Sequence, residues 1–105
     1  MVWPIISAMK TTPDLDLVSR ILREYLPGPE YHAVLFGSRA SGHFRAGSDW
    51  DIGISGPGPV RGAILQSIRD RLEELPTLHT FDIVDLSTTP GSFRAPALKD
   101  AVPLV

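Results

Sequence analysis

The sequence predicts an α/β domain, a small mixed sheet with helices packed on it, in the order α-β-β-α-β-α. Three observations predict it. Two long segments repeat their apolar residues at helical spacing, three short runs are apolar or alternate as strands do, and Pro/Gly clusters divide one kind from the other. The helical segment between the second and third strands is long enough to cross over the sheet.

Residues 1–11 are expected to form a loosely ordered arm of a single domain covering residues 1–105. Thr12-Pro13-Asp14 opens the first helix with a hydroxyl cap, a proline at the first helical position and an acid in the first turn. Leu15, Val18, Ile21, Leu22 and Tyr25 recur at helical spacing, so the helix runs from Pro13 to Tyr25 with one buried stripe, and Pro27-Gly28-Pro29 stops it. Tyr31 to Phe36 is nearly all apolar and reads as an interior strand. A turn follows at Gly37-Ser38, with a single helical turn around Arg39 to Gly42 and a loop to Gly47. The second strand spans Ser48 to Ile54, and Gly56-Pro57-Gly58-Pro59 breaks the chain after it. Val60, Ile64, Leu65, Ile68, Leu72 and Leu75 mark a second amphipathic helix ended by Pro76. Thr80 to Leu86 is the third strand. Ser92 to Ala101 has a helical pattern interrupted by Pro96, which suggests a short or kinked helix starting near that proline.

Composition narrows the function classes. At 43% hydrophobic and 21% charged residues the chain is globular rather than disordered. A net charge of −2 gives no field favouring nucleic acid, so no stable nucleic-acid binding is expected. The lack of cysteine excludes disulfides and zinc–thiolate sites. No apolar run approaches the roughly 18 residues of a membrane span, and Met1-Val2-Trp3-Pro4 has no basic region of the signal-peptide kind. The expected location is the cytoplasm, without membrane attachment.

The chemistry concentrates between Ala33 and Ser55, AVLFGSRASGHFRAGSDWDIGIS. On a strand, Asp49 and Asp51 would share a face about 7 Å apart at the backbone. Two carboxylates at that separation repel by roughly 2–3 kcal/mol at an effective dielectric near 20, and aspartate is a poor strand former. Folding alone does not ask for this pair, whereas a divalent cation held by both carboxylates would. Gly37 and Gly42 have the spacing of a Walker A loop, but His43-Phe44 stands where its lysine and hydroxyl residue belong, so that reading fails. No G-x-G-x-x-G follows a strand, which removes a dinucleotide fold. A glycine turn nevertheless lets backbone N–H groups approach an anion, and the Ser38 hydroxyl adds a donor.

Gly37-Ser38, ten intervening residues and Asp49-Trp50-Asp51 together resemble the signature of the DNA polymerase β-like nucleotidyltransferase superfamily. The fuller string, Gly37-Ser38-Arg39-Ala40-Ser41-Gly42 with Ser48-Asp49-Trp50-Asp51-Ile52, is similar to its minimal nucleotidyltransferase branch, which includes antitoxins paired with HEPN-domain toxins. The resemblance implies a third carboxylate on a later strand, and in Phe81-Asp82-Ile83-Val84-Asp85-Leu86 the residue at that position is Asp82. It covers Tyr31 to Leu86. Pro96 departs from it, because relatives usually continue a C-terminal helix there.

The resemblance implies that Asp49, Asp51 and Asp82 are the catalytic and metal-binding residues for two Mg²⁺ ions, and that ATP is a substrate. Gly37, Ser38, Arg39 and Ser48 would bind the nucleotide, with Arg39 neutralising the phosphates. Asp82 would complete the shell of the second ion and help deprotonate the acceptor. The reaction would be in-line attack on the α-phosphate with release of pyrophosphate. Three functions remain open: AMP transfer to a hydroxyl, such as a tyrosine, of a HEPN toxin; an antitoxin that neutralises its toxin by occlusion alone; and nucleotidyl transfer to a small molecule. Other polar residues read as structural. Asp85 lies three residues after Asp82 and so faces the opposite way, as a capping residue. His32, His43 and His79 have no ligand spacing and read as surface or loop residues. Arg45 reads equally well as a solvated loop residue and as a contact to the nucleotide. Arg69, Asp70, Arg71, Glu73 and Glu74 read as a solvated helix face, and Trp50 as core or interface.

Overall fold

The computed structural model describes residues 14–37, 49–77, 79–92 and 98–105. The expected N-terminal arm, the helical turn at Arg39 to Gly42 and the helix start at Pro96 lie outside them.

Helix α1 (Leu15–Tyr25) begins two residues later than the sequence suggested, because Asp14 is its cap. The carboxylate of Asp14 accepts a hydrogen bond from the Leu17 N–H at 3.1 Å and satisfies a donor the first turn leaves without a partner. Its buried residues, Val18, Ile21 and Leu22, are those of the predicted stripe. The helix closes where the Leu26 N–H bonds to the Leu22 carbonyl at 2.9 Å.

Strand β1 (His32–Phe36) pairs antiparallel with β2 (Trp50–Ser55), and β2 pairs parallel with β3 (Phe81–Asp85). The parallel pair requires a crossover, and helix α2 (Gly62–Glu73) supplies it. α2 starts later than its apolar repeat implied. Val60 is buried ahead of the helix with its N–H held by the Asp85 carboxylate at 2.8 Å, so it belongs to the core and not to the helical stripe.

The chain then returns as β4 (Val102–Pro103), antiparallel to the other edge of β1, which gives a mixed sheet in the order β3-β2-β1-β4. The sequence reading missed this strand. It placed a helix up to Ala101, whereas Leu98 to Asp100 form a turn, with the Ala101 N–H bonded to the Leu98 carbonyl at 3.2 Å.

Both helices cover one face of the sheet. Val18, Ile21 and Leu22 from α1 and Ile68 and Leu72 from α2 form one core with Ala33, Ile52, Ile54 and Ile83 of the strands. Register explains this selection. Ala33 pairs with Ile54 and Ile52 with Ile83, so these strand side chains point the same way. Among the described residues no polar or charged residue is buried. Arg69 is not simply solvated, as expected of its helix face. Its guanidinium donates to the Ile83 carbonyl at 3.2 Å and occupies an acceptor on edge strand β3. No helix among the described residues is long and apolar enough to cross a membrane.

Candidate functional site

The opposite face of the sheet carries the acidic residues. Asp51 is the second residue of β2 and Asp82 the second of β3, and the two are direct partners in the parallel register. Partners across a pair project to the same side, so both carboxylates stand on the face opposite α1 and α2. Asp49 lies one residue before β2 rather than inside it, as the sequence had suggested, and it is exposed. The Thr80 hydroxyl donates a hydrogen bond to Oδ1 of Asp49.

Gly37 ends β1 next to this group, directly after Phe36, the partner of Asp51 in the antiparallel register. Its φ of +75° is a left-handed conformation that glycine adopts without cost. A Cβ at this position would run into Oδ2 of Asp51. Gly37, the first residue after β1, therefore lies against the Asp51 carboxylate. Ser38, Arg39 and Ser48, predicted to bind the nucleotide, lie outside the described residues.

The electrostatics agree with the geometry. The carboxyl of Asp51 is pushed above its ordinary value, first by burial, then by the charge of Asp82, then by that of Asp49. Three carboxylates thus share one field, and a cation would relieve it. Among the described residues, no three His, Cys, Asp or Glu side chains are gathered tightly enough to hold an ion by themselves. This is compatible with Mg²⁺, which is usually held by one or two carboxylates together with substrate phosphates and water. The donors are hard oxygens, and they fit that ion.

The other predicted roles divide. Asp85 does face away from Asp82: its carboxylate accepts from the Val60 N–H, from the Ser87 N–H at 3.0 Å and from the Ser87 hydroxyl at 2.6 Å. It caps the 3₁₀ turn Leu86–Thr88. Trp50 is core, at 5% exposure. His79 is more than a surface residue, since its Nδ1 accepts a hydrogen bond from Trp50 Nε1 at 3.1 Å and the two rings meet edge to face. His32 is exposed on β1, and His43 and Arg45 lie outside the described residues. Thr80 was missed as a site residue. Strand alternation could have found it, because it stands two residues before Asp82 and so on the same face. Further along that face, Leu86 closes over Gly53, where a Cβ would come within 2.7 Å of its side chain.

The chain matches the family described as polymerase beta, nucleotidyltransferase over residues 20–105. No curated protein matches it in sequence. Among solved structures, it is similar to a toxin–antitoxin with AMP-PNP, with a TM-score of 0.71 and 19% identity over 88% of this chain and 73% of that one. A mutant of the toxin–antitoxin MntA–HpeT gives a TM-score of 0.69 and 17% identity over 88% and 72%. A tri-AMPylated HEPN toxin of Shewanella oneidensis in complex with MNT antitoxin gives 0.56 and 18% over 87% and 71%. At these identities the likeness to the solved structures is one of fold.

Proposed function

The chain belongs to the polymerase beta nucleotidyltransferase family, and from that premise we propose that it transfers AMP from ATP to a tyrosine hydroxyl of a HEPN-type toxin and thereby acts as its antitoxin. The observation that carries the reading is the pairing of Asp51 with Asp82 across β2 and β3, with the Gly37 turn against Asp51. A sheet built for stability alone would not place two carboxylates opposite each other on neighbouring strands. Similarity in fold to a toxin–antitoxin with AMP-PNP and to a complex containing a tri-AMPylated HEPN toxin supports the choice of nucleotide and partner.

In this reading Asp49, Asp51 and Asp82 would hold the two Mg²⁺ ions, and Asp82 would also help take the proton of the acceptor hydroxyl. Bound there, the ions would supply neutralising charge for the triphosphate and polarisation of the acceptor oxygen, with pyrophosphate as the leaving group. The turn at Gly37 presents backbone donors to the phosphates, and Ser38, Arg39 and Ser48 complete that grip. The transferred group adds an anion to the toxin, which would exclude RNA by charge and bulk.

Substoichiometric protein, incubated with ATP, Mg²⁺ and a HEPN toxin from the same genome, is expected to silence the toxin and add AMP mass units to it. Asp49→Ala, Asp51→Ala and Asp82→Ala should each abolish the added mass. Neutralisation by the triple variant, only at equal stoichiometry and without added mass, would replace transfer by occlusion.

A further inference from the structure

The segment bearing Asp49 and Trp50 is tied to the start of β3 at three points. The Trp50 N–H donates to the Thr80 carbonyl at 2.9 Å, which continues the β2–β3 ladder one step beyond β3 itself. On the helix-covered side, Trp50 Nε1 donates to Nδ1 of His79 at 3.1 Å. On the opposite side, the Thr80 hydroxyl donates to Oδ1 of Asp49. The third contact matters most for chemistry. Asp49 precedes β2, is exposed, and so takes no orientation from the strand or from core packing.

We propose that Thr80 is a positioning residue for the metal site: its hydroxyl holds one oxygen of Asp49 and directs the other oxygen toward the cation shared with Asp51. A carboxylate has two acceptor oxygens, and engaging one with a hydroxyl leaves the second for a metal. An outer hydrogen bond of this kind selects one rotamer of the ligand before the ion arrives, which lowers the ordering cost of binding. The backbone anchor through Trp50 keeps Thr80 and Asp49 in step, so the hydroxyl does not drift from its partner. The role rests on the reading of Asp49 and Asp51 as metal ligands.

The test is calorimetric titration of the nucleotide-free protein with Mn²⁺ alone. Thr80→Val, which keeps the side-chain shape and removes the hydroxyl, is expected to weaken Mn²⁺ affinity by about tenfold, the lower end of the cost of losing an outer-shell partner. Thr80→Ser should restore affinity close to that of the unaltered protein, and urea midpoints should be the same in all three. In an Asp49→Ala background, Thr80→Val should change nothing further. Equal affinity in the unaltered protein and Thr80→Val would overturn the positioning role and leave the metal site standing. Absence of Mn²⁺ binding by the unaltered protein would overturn the site itself and the positioning role with it. A loss shared equally by Thr80→Val and Thr80→Ser would assign Thr80 to backbone structure instead.

Discussion

At the scale of single residues, Gly37 and Asp51 constrain each other. Any side chain at position 37 must adopt a left-handed backbone, at about 1–2 kcal/mol, and must also displace the Asp51 carboxylate. Gly37→Ala is therefore expected to lower stability by about that amount and to weaken Mn²⁺ binding. Urea denaturation and calorimetry on one sample check both, and unchanged metal affinity would detach the glycine from the site. Asp51 makes a second prediction. Its carboxyl is held above the ordinary aspartate value of 3.8, first by burial and then by Asp82 and Asp49. The folded protein therefore keeps that proton to higher pH than the unfolded chain, so stability falls as pH rises from 3.8 through the folded-state value. It stays lower at every pH above. In metal-free buffer, Asp51→Asn should melt higher than the unaltered protein at neutral pH and nearly equal to it in strong acid. Mg²⁺ should raise the melting temperature of the unaltered protein only. The same metal response in both proteins would exclude Asp51 as a ligand.

At the scale of elements, β3 carries two aspartates with opposite work. Asp82 faces the side opposite the helices, and Asp85 holds the 3₁₀ turn and the entry to α2 through Ser87 and Val60. Asp85→Ala should cost about 2–3 kcal/mol, from a lost cap and an orphaned N–H, without lowering the proposed AMP transfer measured below the melting transition. Asp82→Ala should do the reverse. Strand alternation made this division readable from the sequence, as helical spacing did for the stripe of α1. Other features depend on contacts that no local pattern carries. Two residues, one of them a proline, have no strand signal of their own, so β4 is chosen by the free edge of β1. Val60 looks helical by spacing and is withdrawn from α2 by a carboxylate on a distant strand. The bond from Trp50 to His79 joins residues whose proximity depends on the crossover.

At the scale of the whole molecule, the sheet has a face covered by α1 and α2 and an opposite face bearing Asp51 and Asp82, and its middle strands depend on both neighbours. Residues 102–105 belong to this structure. Leu104 and Val105 pack against the core, and their N–H groups bond to the Ala33 carbonyl at 2.8 and 3.2 Å. Deleting residues 102–105 should cost about 3 kcal/mol, from lost apolar burial and backbone hydrogen bonds, read as a lower urea midpoint. An unchanged midpoint would show that β1 does not need β4. The same strand bears on synthesis. The ribosome makes β1 early and β4 only after the crossover helix and β3 have emerged. Until then a nascent chain can pair β1 with β2 yet still displays the other edge of β1, an open template for a neighbouring nascent chain on the same message. Slow synthesis between β3 and β4 would prolong that exposure, so the risk of co-translational aggregation persists until Val102 and Pro103 can cover the edge of β1.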